Sequence, residues 1–238
     1  GHTVLLSQTE NVVLNPLLYS NLTYDPIKDF APIGLIAKAS LALVVRADSP
    51  YKTLADVVAA AKEKPGMLTF GTSGIGSTPQ LAQQLWERES GATFTHVPYR
   101  GAAAAIPDLI GGQITLYAAS IPTLRAHVEN GSLRALGVTS EHRLPALREV
   151  PTFIEAGYKD VKISTFWGVM APTGTPNDVI EEWNKAIHVA LDRDEVRKKI
   201  LDSGAEIVGG SPKQMEDLYT SERQRLAAII QSANIKLD

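Results

Sequence analysis

The chain has 238 residues, of which 44% are hydrophobic and 21% charged, with a formal net charge of −3. This composition is typical of a soluble globular protein with one large domain or two small ones, and the mild negative charge gives no reason to expect nucleic acid. No apolar stretch approaches the roughly 20 residues that cross a membrane, so the chain is not expected to be membrane-inserted. The absence of cysteine excludes disulfides, thiol nucleophiles and thiolate metal sites.

Strand-like and helix-like segments alternate along the chain, which is typical of sheets wound with helices. Apolar runs predict strands at residues 3–6, 41–46, 68–70, 94–97, 114–117, 134–138, 163–170 and 206–208. Helical spacing with end signals predicts helices at residues 54–63, 79–89, 102–110, 122–130, 176–191 and 212–232. Thr53, Thr175 and Ser211 are the predicted N-caps of three of them. The predicted fold class is α/β, with mostly parallel sheets flanked by helices.

Two apolar, extended segments, residues 41–49 and 164–172, bracket an uninterrupted run of αβ units. We interpret them as the two chain crossings of a bilobed protein. Residues 45–165 then form one lobe, and residues 1–44 together with 166–238 form the other. A ligand cleft is expected between the lobes, at the carboxyl ends of the strands, where open α/β sheets bind ligands.

The turn TFGTSGIGSTPQ, residues 69–80, lies between a predicted strand and a predicted helix. Gly71, Gly74 and Gly76 permit the positive φ values of a sharp turn, and Thr78 followed by Pro79 predicts an N-cap and the first helical residue. The spacing differs from GxGxxG and lacks the lysine of a P-loop. It also differs from the GxSxG nucleophile motif.

This turn combines helix amides with hydroxyl side chains, those of Thr72, Ser73, Ser77 and Thr78. Unsatisfied N–H groups and the positive end of a helix dipole favour a bound carboxylate, sulfate or phosphate. An ordinary, well-capped connection between a strand and a helix is the alternative. The five histidines show no metal-ligand spacing, so no metal site is predicted.

Five segments together carry a resemblance that covers the whole chain: YDPIKDFAPIGLIA from residue 24, GTSGIGST from 71, HVPYRGAAAAIPDLIGGQI from 96, LRALGVTSEHRLPALREVPTFIEAGY from 133 and FWGVMAPTGTP from 166. The chain resembles the Bug-type, or tripartite tricarboxylate transporter, solute-binding proteins. The resemblance implies a two-lobed fold of the type II periplasmic-binding-protein class. It also implies an exported, periplasmic protein that captures a small mono- or dicarboxylate and delivers it to the transporter's membrane subunits, without catalysis or a cofactor.

The resemblance also implies which residues bind the ligand. The anion loop of the second lobe matches Thr72, Ser73, Gly76, Ser77 and Thr78, and the first lobe contributes Ser7 and Thr9 after its opening strand. Asn15 matches a common asparagine, which either contacts ligand or stabilises the turn before Pro16. The family often has an acidic residue and an asparagine where this chain has Ala119 and Ser120, so a ligand without an ammonium group is expected, with Ser120 in the site.

Three further residues have two interpretations each. Tyr99, beside Arg100, ends a strand and is placed to contact a carboxylate or to lie on a solvated surface. Phe166 either forms a wall of the ligand pocket or packs at the hinge. His96 either faces the cleft or makes a local hydrogen bond.

Two other functions compete with transport. A hydrolase would use Ser73 or Ser77 with His96, and an effector-binding module of a sensor would bind a metabolite without delivering it.

The chain opens at Gly1 without a methionine, where the family has an earlier strand and loop, and we interpret this start as a truncation. We therefore expect this chain to bind carboxylates more weakly than a longer chain. We also expect it to self-associate, swap elements with a neighbour or rearrange its first lobe.

Overall fold

The computed structural model describes residues 3–232. The first elements are β1 (Leu5–Gln8), a π-helical turn (Glu10–Leu14), α1 (Asn15–Leu18), β2 (Phe30–Arg46), α2 (Leu54–Glu63), β3 (Thr69–Thr72) and α3 (Thr78–Ser90). They are followed by β4 (Thr95–Pro98), α4 (Ala102–Ile110), β5 (Leu116–Ser120), α5 (Ile121–Glu129), β6 (Leu133–Val138) and a short 3₁₀ turn (Pro145–Leu147). The chain continues with β7 (Ser164–Pro172), α6 (Asn177–Leu191), α7 (Asp194–Asp202), β8 (Glu206–Ile207) and α8 (Pro212–Ser232).

The chain packs as two compact units, each an α/β body as predicted. The first unit contains Gly1–Lys38 and Thr165–Asp238, and the second contains Ala39–Ser164. The lobe division predicted from the sequence, at residues 44/45 and 165/166, stays a prediction.

The second unit is a mixed sheet covered by helices α2 to α5. Strand β3 pairs in parallel with β4 and with β5, whereas the second half of β2 is antiparallel to β5 and β6. Its core includes the fully buried residues Val44, Leu109, Tyr117, Ile121 and Leu124. The apolar faces of the helices form this core, as the helical spacing predicts.

In the first unit, β1 is antiparallel to β7, and the first half of β2 is antiparallel to β8. The prediction of mostly parallel sheets is therefore corrected to mixed sheets. The physical reason is β2, a strand of 17 residues that is antiparallel to β5 and β6 in the second unit and to β8 in the first. Sequence reasoning assigned only residues 41–46 to it, because Pro32, Gly34 and Lys38 argue against a strand. The apolar residues at alternate positions, Ile33, Leu35 and Ala37, were the signal that could have found the rest, and all three are buried.

Helices α2, α4 and α8 have the bounds that the sequence predicts. Helix α6 begins at Asn177, one residue after the predicted start, with Pro176 at the N-cap instead of Thr175. The Thr175 hydroxyl donates to the Pro172 carbonyl at 2.7 Å, so it closes the preceding turn and does not cap the helix. Sequence reasoning missed helix α7, none of whose residues is buried. The spacing of Val196, Ile200 and Leu201 on one helical face was the signal that could have found it.

Thr53 caps α2 as predicted, and this cap gives a stability prediction. The Thr53 hydroxyl accepts from the Asp56 amide at 3.1 Å, and the Asp56 carboxylate accepts from the Thr53 amide at 2.9 Å, which completes a capping box. We expect Thr53→Ala to lower the free energy of unfolding by about 1 kcal/mol, because helix amides lose their acceptor. Urea unfolding measures this loss of free energy, and Thr93→Ala, which changes an exposed threonine, is the matched control. Equal losses in both variants would contradict the capping role.

Candidate functional site

The candidate site lies at one edge of the second unit's sheet. Because β3 pairs in parallel with β4 and β5, the carboxyl ends of these three strands meet at the same edge. Three helices begin just after them, α3 at Thr78, α4 at Ala102 and α5 at Ile121. The edge therefore gathers three helix N-termini and the residues 72–78, which we call the anion loop. Helix N-termini favour negative charge, so this edge suits an anion.

The structure corrects the predicted cap of α3. The helix begins at Thr78, and Ser77 is the N-cap with φ −81° and ψ 156°. The Ser77 hydroxyl makes no capping bond and donates instead to the Gly74 carbonyl at 2.7 Å. Thr78 is buried at 1% exposure and occupies the first helical position, with Pro79 in the second. The prediction that Thr78 caps while Ser77 is free for ligand is therefore wrong, because both side chains are turned into the protein.

Thr72 and the two following glycines shape the anion loop. The Thr72 hydroxyl is buried, donates to the Gly74 carbonyl at 3.2 Å and accepts from the Gly74 amide at 3.3 Å. Gly74 and Gly76 have φ values of 137° and 77°, which L-residues rarely adopt. The Gly76 amide donates to Gln80 Oε1 at 2.7 Å. The amides of Gly74 and Gly76 are therefore used inside the loop and not directed outward as expected.

Ser73 is the loop residue whose hydroxyl has no hydrogen-bond partner within residues 3–232. Its side chain is exposed, and within residues 3–232 no hydrogen bond engages its hydroxyl or its amide. The neighbouring Ile75 is 55% exposed. Of the five predicted loop residues, Ser73 is thus the one available to a ligand through its side chain, while Thr72, Gly76, Ser77 and Thr78 form the framework around it.

Sequence reasoning missed Gln80, which closes the loop from the first turn of α3. Its carboxamide joins the Gly76 amide to the His96 ring, with Gln80 Nε2 lying 3.5 Å from His96 Nδ1. The spacing Ser77-x-x-Gln80 is the signature of a capping box and was the signal that could have found it. Here the glutamine accepts from Gly76, one residue earlier than the signature predicts.

His96 makes a local hydrogen bond, the second of its two interpretations. His96 Nε2 lies 2.7 Å from Thr72 Oγ1. Burial lowers the pKa of the His96 imidazole, because a low-dielectric environment disfavours the charged ring. Within the described chain neither Ser73 nor Ser77 bonds to this ring, so the serine-histidine pair that a hydrolase needs is not formed.

Tyr99 and Ser120 follow the other two strands of the edge. The Tyr99 hydroxyl donates to Asp108 Oδ2 at 2.8 Å, and burial with this carboxylate raises the pKa of Tyr99 to about 12. Ser120 is the N-cap of α5, and its hydroxyl lies 3.0 Å from that of Thr123. Both hydroxyls thus have a protein partner in this structure.

The first unit holds the other predicted ligand residues. Ser7 and Thr9 are fully buried. The Ser7 hydroxyl donates to the Gly168 carbonyl at 3.1 Å and lies 3.3 Å from the Tyr219 hydroxyl. The Thr9 hydroxyl accepts from the Phe166 amide at 2.8 Å, which brings two predicted residues together. Asn15 is the first residue of α1, and its side chain donates to the Tyr24 hydroxyl at 3.2 Å.

Metal-binding clusters and membrane-spanning helices are both absent from residues 3–232. No cluster of three or more histidine, aspartate or glutamate residues there is arranged to hold a metal ion. None of the helices in the same part of the chain is long and apolar enough to cross a membrane.

Comparison with known proteins identifies the family. The sequence profile of the tripartite tricarboxylate transporter family receptors matches residues 1–235. The chain is 36% identical over 231 residues to the UPF0065 protein in the tcbD-tcbE intergenic region of Pseudomonas sp. (strain P51), covering 97% of this chain and 68% of that protein. It is 30% identical over 238 residues to Protein BugT of Bordetella pertussis, covering 100% of this chain and 73% of BugT.

A solved structure agrees with these sequence matches. R. palustris Rpa4515 with adipate superposes with a TM-score of 0.94 and 32% identity, covering 100% of this chain and 80% of that one. The resemblance stated from the sequence is thereby confirmed, and so is the two-lobed binding-protein class of the fold. A family of receptors binds its solute without converting it. The chain therefore belongs to the receptor family of the tripartite tricarboxylate transporters, the Bug-type solute-binding proteins.

Proposed function

We propose that the chain binds a small mono- or dicarboxylate at the anion loop and, in the periplasm, delivers it to the membrane subunits of a tripartite tricarboxylate-type transporter. The observation that carries the proposal is the open Ser73 beside the N-terminus of α3, at an edge where two more helices begin. Family membership and the adipate held by a protein 32% identical to this chain support the same ligand class.

The anion loop offers one carboxylate group a small set of donors. These are the Ser73 hydroxyl, the Ser73 amide and the Ser77 amide, none of which makes a hydrogen bond within residues 3–232. A hydrogen bond to a charged acceptor contributes about 1.5 to 3 kcal/mol, so these donors and the helix dipole account for an affinity without a cationic side chain. Thr72, Gly76 and Thr78 act in the proposal by holding these donors in place.

The neighbouring strand ends shape the selectivity in the proposal. Ala119 is 5% exposed and carries no charge, and Ser120 presents a hydroxyl at the start of α5. Without a carboxylate at these positions, an ammonium group finds no ion pair there. We therefore propose a ligand without an amino group. Tyr99 of the second unit, and Ser7, Thr9 and Phe166 of the first, remain proposed ligand residues.

Calorimetric titration and thermal unfolding with adipate and shorter dicarboxylates test the proposal. Adipamide, which has the same length without charge, is the matched control. A ligand at 100 times its dissociation constant should raise the free energy of unfolding by about 2.7 kcal/mol, because it binds only the folded chain. Stabilisation by a dicarboxylate but not by adipamide is expected. Equal effects of the two compounds, or no stabilisation by any carboxylate, would refute carboxylate binding.

Delivery is tested separately from binding. In cells that lack this receptor, uptake of the identified carboxylate should return when the protein is supplied. Binding in solution without restored uptake would instead favour the sensor alternative.

A further inference from the structure

The hydrogen bonds beneath the anion loop determine where the His96 ring carries its proton. The Gly76 amide can only donate, so the Gln80 atom that faces it at 2.7 Å is the oxygen. The other arm of the Gln80 carboxamide is then the NH₂ group, which can only donate and lies 3.5 Å from His96 Nδ1. Nδ1 must therefore accept, and the proton of the neutral ring lies on Nε2.

The Nε2–H tautomer of His96 is also consistent with the other hydrogen bonds of the anion loop. His96 Nε2–H donates to Thr72 Oγ1 at 2.7 Å, and the Thr72 hydroxyl proton is then directed to the Gly74 carbonyl at 3.2 Å. Donors and acceptors thus alternate without conflict from the Gly76 amide to the Gly74 carbonyl. In the opposite tautomer, with the proton on Nδ1, two donors would face each other between the ring and Gln80, at the cost of a hydrogen bond.

We infer that His96, in its neutral Nε2–H tautomer, is a positioning residue for the anion loop, which fixes the Thr72 hydroxyl directly and the Gly76 amide through Gln80. Its effect on ligand binding rests on the proposed function, whereas its tautomer does not. The ring contacts Thr72 and Gln80 and does not contact the ligand in this proposal. It acts on Ser73 because Thr72 and Gly74 flank that residue in the chain.

Protonation of the ring should disturb the loop. A second proton on Nδ1 would meet the Gln80 NH₂ group, so the carboxamide would have to turn and leave the Gly76 amide. The groups that face the ring, the Thr72 hydroxyl from β3 and the Gln80 carboxamide from α3, do not titrate. Within residues 3–232 no charged side chain bonds to the ring. Because burial lowers the pKa of His96 below 6.5, the loop stays ordered above that pH and is disturbed as pH falls through the lowered value.

Nitrogen NMR of the histidine rings tests the tautomer without any ligand. The His96 signals are assigned by their loss in His96→Gln. Above its pKa, His96 should show a protonated Nε2 and an unprotonated Nδ1. Gln80→Glu keeps an acceptor for the Gly76 amide but places a carboxylate opposite Nδ1, so the pKa of His96 should rise by about one unit or more. A protonated Nδ1 in the wild type, or an unchanged pKa in Gln80→Glu, would overturn the inference.

Adipate titrations across pH test the consequence for binding. In the wild type the dissociation constant should increase about tenfold as His96 becomes protonated, since one loop hydrogen bond is lost. In His96→Gln, whose side chain can donate to Thr72 but does not titrate, the affinity should follow only the titration of adipate itself. Parallel pH profiles of the two proteins would overturn the role in binding. If adipate and the other dicarboxylates fail to bind the wild type while the Nε2–H tautomer is found, the proposed function fails and the NMR result alone upholds the positioning of the loop.

Discussion

Replacing Trp86 by alanine should lower the free energy of unfolding by about 3–5 kcal/mol. Trp86 lies on α3 and is 1% exposed. It stacks on Phe94 with ring centroids 5.0 Å apart, and it meets Phe153 and Tyr158 edge-on at 5.4 and 6.0 Å. Alanine would remove all three ring contacts and leave a cavity beneath α3, the helix that follows the anion loop.

Two further variants make this result specific. Trp183 is 37% exposed on α6, so Trp183→Ala should lower the free energy of unfolding by clearly less than Trp86→Ala does. Trp86 Nε1 has no acceptor within residues 3–232, so Trp86→Phe removes a buried donor along with part of the ring and should cost less than alanine. Urea unfolding followed by circular dichroism measures all three. A similar loss in Trp86→Ala and Trp183→Ala would contradict the importance of this aromatic cluster.

Replacing Ser73 by aspartate should abolish carboxylate binding, with a loss of affinity of 100-fold or more. A carboxylate on the open position of the anion loop would repel the ligand, and two like charges about 4 Å apart repel by roughly 4 kcal/mol at the effective dielectric near a protein surface. The free protein should stay folded, because Ser73 is exposed and its hydroxyl makes no bond within the described residues. Calorimetric titration with adipate measures the affinity, and thermal unfolding of the free protein measures the stability.

Ser73→Asn is the matched control, since asparagine has nearly the shape of aspartate without its charge. It should weaken binding by about tenfold, because one donor changes position but no charge is added. Undiminished affinity in Ser73→Asp would show that the ligand binds elsewhere. Equal losses in both variants would mean that steric fit and not charge decides binding at this loop.

Much of the chain was predictable from local patterns. The bounds of α2, α4 and α8 follow from helical periodicity and end signals, and Thr53 and Ser211 accept helix amides as their positions predict. The turn at residues 69–80 marked the candidate site because glycines and hydroxyls before a helix form a local signal. The family, too, was determined by the sequence alone, since five ordered motifs identify it and the comparisons confirm it.

Only the tertiary structure decided what each side chain of the site does. The sequence offered four loop hydroxyls to an anion, one of them also as the helix cap. In the structure, Ser77 and Thr72 bond to the Gly74 carbonyl and the Ser73 hydroxyl stays open, because the positive φ angles of two glycines fold the loop back on itself. The direction of strand pairing depends on the partners of β2, which lie far away in the chain. His96 and Gln80 meet because β3 and β4 pair side by side and α3 begins above them. Contacts between residues that are distant in the chain leave no periodic signal in the sequence. The sequence therefore could not predict them, and only the folded structure shows them.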